Sequence, residues 1–150
     1  MPIPSRSRQS LVDFNQFMKA AGANMKKVAA VAMPEIREIL ATGIEVAFRT
    51  ETSPGGVRWE PPKNPVNNGK LLVRTGTLQR AAISAARKVV IEGNRLTARL
   101  EGVPYAAFHQ FGTRRMPARP FFGIWFQARM KIGKVVKKAV DKQLADAKKV

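Results

Sequence analysis

Apolar residues recur at helical spacing at both ends of this 150-residue chain, and this pattern restricts the fold more than any other feature. It predicts a first helix over about 11–21, ended by Gly22. A second helix is predicted over about 24–50, where Pro34 either kinks the helix or begins a new one. A last helix is predicted over about 123–149. We therefore expect long helices at both ends of the chain.

Proline and glycine break the middle of the chain into short elements. The stretches 53–56 and 61–69 are turn signals, and we expect Trp59 between them to anchor the loop to the core. A short helix is predicted over 75–86. A second short helix over 104–111 should follow the sheet and end at a glycine cap.

Two strands are predicted over 88–92 and 95–101, joined by a tight turn at Gly93-Asn94. Alternating apolar residues in the second strand indicate one wet face; these residues are Leu96, Ala98 and Leu100. After them, Phe121 and Phe122 either begin a last strand or fill the core. The predicted fold class is α+β, with a small antiparallel β-sheet packed with the long N-terminal and C-terminal helices.

The length favours a single domain over residues 1–150. Within it, we expect 1–9 to form an extended N-terminal arm and 145–150 to fray. The chain contains no cysteine, which excludes disulfides and thiolate metal sites. The N-terminus lacks the apolar run of a signal peptide, and we expect no membrane span because apolar runs stay far below about 20 residues.

Charge is the strongest compositional signal, with 27 Lys and Arg against 10 Asp and Glu and a net charge of +17. Such a charge attracts polyanions, so a surface facing nucleic acid or an acidic partner is favoured over a merely solvated basic surface. Six residues are candidates for an interface or DNA-facing surface: Arg114, Arg115 and Arg119 in a proline-containing loop, and Lys131, Lys134 and Lys138 on the last helix. Without a recognition helix, contact with DNA should be electrostatic and independent of sequence.

Residues for catalysis, metal binding or cofactor binding are not grouped in the sequence. His109 is the one histidine, which excludes a histidine-rich metal site, and the acids are scattered. For His109, a hydrogen-bonded histidine at a helix end, packed near Tyr105, is favoured over a catalytic role. We therefore predict that the chain is not an enzyme and needs no cofactor.

Three blocks of motif residues follow one another along the middle and later parts of the chain. The first, 48–59, contains a helix end, a turn with proline and glycine, and a tryptophan; the second, 70–78, contains Thr-Gly-x-Leu. The third, 105–123, reads Tyr-Ala-x-x-His-x-x-Gly followed by Pro-Ala-Arg-Pro-Phe. Together they resemble the virion morphogenesis and tail-completion family of tailed bacteriophages. The matching motif positions are Trp59, Gly76, Tyr105, His109, Gly112, Pro117, Pro120 and Phe121.

The resemblance implies a non-catalytic virion protein at the neck or head-proximal end of the tail, assembled in the host cytoplasm. It also implies a homo-oligomeric ring, with six copies expected, whose neighbours are head-closure, tail-terminator or tail-tube subunits. Gly112 should adopt positive φ. Pro117 and Pro120, which lie on either side of Arg119, should stiffen the loop. Arg119 should form an ion pair within or between subunits. The alternative, based on charge alone, is a cellular module that binds nucleic acid non-specifically.

Overall fold

A computed structural model describes residues 5–63, 71–72, 76–92 and 95–149, with side chains from Met25 onward. The helices and strands, in chain order, are α1 (Ser5–Thr50), α2 (Thr77–Arg87), β1 (Val90–Glu92), β2 (Arg95–Thr97), α3 (Ala106–Phe111) and α4 (Phe126–Ala147). Long helices at both ends and a small antiparallel sheet confirm the predicted α+β class.

Contacts along the chain divide it into two compact units. One comprises the chain ends, up to Ala32 and from Val136, and buries Val28, Ala32 and Ala139. The other, Met33–Val135, contains the three sequence blocks and most of the buried residues. The single domain over 1–150 stays a prediction.

The first helix, α1, is one continuous helix of 46 residues, so the predicted end at Gly22 is wrong. A glycine costs only about 1 kcal/mol relative to alanine inside a helix, which is too little to end one whose flanking residues favour it. Pro34 lies inside α1 and does not begin a new helix. The helix already includes Ser5, so the predicted extended arm is wrong from that residue onward, and residues 1–4 lie outside the described ones.

The two strands form an antiparallel hairpin with Val90 opposite Thr97 and Ile91 opposite Leu96. Both strands are shorter than predicted, and the turn at 93–94 lies outside the described residues. Ile91 is 44% and Leu96 43% exposed, whereas Ala98 and Leu100, which alternation placed on the same face as Leu96, are half-buried, so the predicted face is covered only in part. A two-stranded hairpin buries a face only when another element covers it.

The helix α2 lies within two residues of its predicted bounds and buries Leu78, Ala82 and Ala85 as expected. It begins directly after Gly76, whose φ is 70°. The helix α3 begins at Ala106, two residues later than predicted.

The last helix, α4, begins at Phe126 and not at Gly123, so Trp125 precedes it. Ala128 and Ala139 are buried, whereas Leu144 is half exposed. α4 extends to Ala147, into the segment that was expected to fray. In the described ranges, every helix is too short or too polar to span a membrane.

Candidate functional site

The first and third sequence blocks meet in an aromatic cluster. The rings of Phe48 and Trp59 lie 5.6 Å apart in an edge-to-face arrangement, and those of Phe48 and Phe121 lie 5.7 Å apart. Trp59 is 5% and Phe121 1% exposed, and Trp59 Nε1 donates a hydrogen bond to the Pro120 carbonyl at 2.8 Å. The predicted anchor role of Trp59 is confirmed, and Phe121 fills the core instead of beginning a strand.

Arg119 lies beside these rings and is only 6% exposed. Its Nε donates to the Glu60 carbonyl at 2.8 Å, and its backbone N–H donates to the His109 carbonyl at 2.7 Å. The Arg119 guanidinium forms no ion pair with any described residue, and a pair across an interface stays a prediction. Its burial does not support placing it with Arg114 and Arg115 as an interface or DNA-facing candidate, because the loop turns it towards a backbone carbonyl. We call Phe48, Trp59, Gln110, Arg119 and Phe121 the motif cluster.

Gln110 joins the motif cluster through three backbone contacts that the sequence analysis missed. Its Oε1 accepts hydrogen bonds from the N–H groups of Phe121 and Phe122, both at 3.1 Å. Its Nε2 donates to the Phe122 carbonyl at 2.9 Å. One amide thus satisfies three polar groups of a segment that has no regular partner strand. Its place between His109 and Gly112 in the third block was the available signal.

Glu51 connects the first block to the start of the second, and it too was missed. Its backbone has φ of 53°, and its carbonyl accepts a hydrogen bond from Trp59 N–H at 2.7 Å. Its Oε1 accepts one from Leu71 N–H at 2.9 Å. The loop around Trp59 is therefore closed by contacts at both ends. In the second block, Gly76 takes its positive φ at the start of α2, and its carbonyl accepts the first helical bond from Arg80 N–H.

Two glycines permit close approaches within the motif segment. Gly112 has φ of 74° and ψ of 175°, and a Cβ there would lie 2.7 Å from the Ala118 nitrogen. A Cβ on Gly123 would lie 2.7 Å from Pro54 Cγ. The positive φ predicted for Gly112 is confirmed. Pro117 and Pro120, which lie on either side of Arg119, are half-buried.

His109 packs edge-to-face against Tyr105, with ring centroids 6.0 Å apart, as predicted. The expectation that it is fully hydrogen-bonded is wrong, because its buried Nδ1 has no hydrogen-bond partner among the described residues. Burial, and next the positive charge of Arg119, hold the pKa of His109 below its ordinary value of 6.5. The imidazole is thus favoured in its neutral form. No group of three or more possible metal ligands occurs within the part of the chain that the structure describes.

An exposed surface extends from α3 into the loop after it. Thr113 and Met116 exchange backbone hydrogen bonds of 2.8 and 3.3 Å, which form a tight turn with Arg114 and Arg115 exposed at its tip. Before this turn, three aromatic residues at a spacing of three are exposed: Tyr105 at 39%, Phe108 at 56% and Phe111 at 78%. We call these five residues the aromatic–arginine face. Its three aromatic residues were not predicted from the sequence to be exposed together.

The lysines on α4 form a separate surface. Lys131, Lys134 and Lys138 are exposed, and spacings of three and four place them on one side of the helix. In the residues that the structure describes, none of the three forms an ion pair. We call them the lysine face. The six basic candidates therefore divide into an exposed turn, an exposed helix face and one buried arginine.

Comparison with protein families gives one match. A model described as the phage virion morphogenesis family matches residues 10–141. This range includes all three blocks, the aromatic–arginine face and the lysine face, and the match confirms the resemblance that the blocks indicated. Comparisons with curated proteins and with solved structures gave no match.

Proposed function

The chain belongs to the phage virion morphogenesis family, and from this premise we propose that it acts at the neck or head-proximal end of a phage tail. There it would complete the tail or join it to the head, after assembly in the host cytoplasm. Membership already makes it a structural protein of virion assembly, which weighs against the cellular nucleic-acid module.

The observation that carries this proposal is the division between a buried motif cluster and two exposed surfaces. The cluster links the first and third blocks through the Trp59–Pro120 and Arg119–Glu60 hydrogen bonds. Beside it, α3 and the arginine turn are exposed together, with Phe111 78% accessible. Aromatic and arginine side chains are enriched where proteins bind one another. This arrangement supports a role in binding other subunits and not a catalytic one.

We further propose that the protein forms a homo-oligomeric ring of six copies around the DNA channel. Its neighbours along the axis would be head-closure, tail-terminator or tail-tube subunits. A ring of subunits with a charge of +17 each would concentrate positive charge around passing DNA. The lysine face is the surface we assign to DNA, since lysines contact phosphates as point charges without reading sequence.

The proposed location and ring are tested by two measurements on the full chain. Sedimentation velocity should show a closed oligomer, and immunogold labelling of purified virions should place the protein at the neck. A protein that is monomeric at every concentration and absent from virions would overturn the proposal.

The proposed DNA contact is tested by reversing two charges, Lys134→Glu and Lys138→Glu. Binding to duplex DNA should weaken and its salt dependence should decrease, by about 0.9 in the log–log slope for each phosphate that the protein no longer neutralises. The control reverses Arg58 and Lys63, both exposed, which changes the net charge equally. Equal weakening by both double variants would mean that net charge alone binds DNA. Strong preference for one DNA sequence would favour a nucleic-acid-reading module instead.

A further inference from the structure

A groove with an apolar floor and an acidic end lies between α1 and the start of α4, within the unit Met33–Val135. Ile39, Val46 and Trp125 supply apolar surface, and Trp125 Cδ1 lies 3.2 Å from the position of a Cβ on Gly43. Glu35 and Glu38 line the same groove on the N-terminal side of Ile39 in α1. We call this surface the acidic groove.

The acidic residues of this groove are available to a partner. Glu35 is exposed and forms no ion pair with any described residue. Glu38 contacts Arg87 at 3.1 Å, but both side chains are more than half exposed, so this pair contributes little to stability. Lys131 also lines the groove without forming an ion pair with either glutamate among the described residues. The chain has only 10 acidic residues, and two of them line this groove.

The aromatic–arginine face has the complementary arrangement. Its aromatic residues precede its charged ones, as Phe108 and Phe111 are followed by Arg114 and Arg115. In the groove, the apolar residues Ile39 and Val46 likewise adjoin a charged end, here of opposite sign. No residue is shared between the two surfaces, so one copy can offer its face while its groove receives another.

We propose that the acidic groove receives the aromatic–arginine face of a second copy of this chain. This inference rests on the proposed homo-oligomer and names the surfaces that form it. Contact between two different surfaces is head-to-tail, and a head-to-tail contact repeats around a ring when its rotation closes. The aromatic side chains would supply apolar burial. Arginine pairing with Glu35 and Glu38 would set the register and partly offset the repulsion between copies.

A charge-swap experiment on the full chain tests this contact by sedimentation velocity. The variants R114E/R115E and E35K/E38K should each weaken self-association by about tenfold or more, because each places like charges opposite one another. Combining all four substitutions should restore most of the association. Two control pairs at exposed positions, R58E/K63E and E60K/E101K, have the same charge changes and should have little effect. Circular dichroism of each variant checks that it folds.

The results can overturn the proposed contact without overturning the proposed ring. An oligomer that tolerates both reversals, or a four-fold variant no better than its parents, overturns this interface and leaves the ring standing. A wild-type chain that is always monomeric and is missing from virions overturns both. If R114E/R115E weakens duplex DNA binding as much as K134E/K138E and leaves self-association unchanged, the turn faces DNA and the interface is overturned.

Discussion

The segment 117–122 and the hairpin β1–β2 are opposite in what stabilises them. The segment belongs to no helix or strand, yet Phe121 is 1% exposed and Arg119 6%. The hairpin has regular ladder pairing, yet Ile91 and Leu96 are each more than 40% exposed. Regular hydrogen bonding and burial are thus separate sources of stability, and each of these two regions has only one of them.

Local unfolding should begin in the hairpin and not in the segment. In the segment, backbone groups are satisfied by a side chain, Gln110, that is itself placed by α3, so several contacts must break together. In the hairpin, the described strands are three residues long and bury little, which is typical of regions that open at low free-energy cost.

Removing the buried ring of Phe121 should have the largest effect. Phe121→Ala should lower the free energy of unfolding by about 3–5 kcal/mol, because it leaves a cavity beside Phe48. Leu96→Ala in the hairpin should cost less than about 1 kcal/mol, since Leu96 is already 43% exposed. Urea denaturation followed by circular dichroism measures both. Similar losses would show that the hairpin is covered in solution.

Two glycine substitutions should have opposite signs. Gly112→Ala should destabilise the protein by about 1–3 kcal/mol from its backbone conformation alone, with an added clash at the Ala118 nitrogen. Gly133→Ala in α4 meets nothing within 4 Å and should stabilise by about 0.5–1 kcal/mol. Melting temperatures report both signs. If Gly112→Ala leaves the melting temperature unchanged, the loop relaxes freely, and the segment 117–122 is less rigidly held than proposed.

Arg119 is buried and Arg114 is exposed in the same loop, so replacing each with alanine should change the free energy of unfolding by different amounts. Arg119→Ala should cost about 1.5–3 kcal/mol, because it removes the buried charged donor that bonds to the Glu60 carbonyl. Arg114→Ala, at an exposed position, should change the free energy of unfolding by less than about 0.5 kcal/mol. Equal effects in chemical denaturation would contradict the assignment of Arg119 to the core.

Acid should destabilise the motif segment through His109, with the smallest effect of the four. Its pKa is lowered in the folded state by burial and then by Arg119, whereas in the unfolded chain it returns to about 6.5. Below pH 6.5 the unfolded state binds more protons, so stability falls as pH decreases through the folded-state pKa. Above pH 6.5 the group contributes no pH dependence. Denaturation midpoints on both sides of this pH should differ in the wild type and differ less in His109→Gln.

The fold and the motif cluster could be predicted from the sequence where residue type or local pattern determines the local structure. The burial of Trp59, the positive φ of Gly112 and the bounds of α2 follow from residue chemistry and local pattern. The continuous α1 was not predicted, because the turn signals at Gly22 and Pro34 are local costs that the rest of a long helix overcomes. Apolar alternation over 95–101 was right only in part, since Leu96 in β2 is exposed whereas Ala98 and Leu100 after it are half-buried.

Tertiary partners account for what the sequence did not reveal. Arg119 is buried because the carbonyl of Glu60, 59 positions earlier, accepts its hydrogen bond. The side chains of Gln110 and Glu51 have roles set by backbone groups 11 to 20 positions further along the chain. Spacing along the chain contains no such information. The exposure of Phe108 and Phe111 likewise depends on what surrounds α3 and not on α3 itself.

The hydrogen bond from Trp59 to the Pro120 carbonyl joins residues 61 positions apart, with α2 and the hairpin between them. During translation, Trp59 leaves the ribosome well before its partner is synthesised. The first block must therefore wait, with its indole unburied, until residue 122 has emerged. Nascent chains stalled before that point should lack the aromatic core, and premature termination there should yield a product that the host's proteases remove quickly.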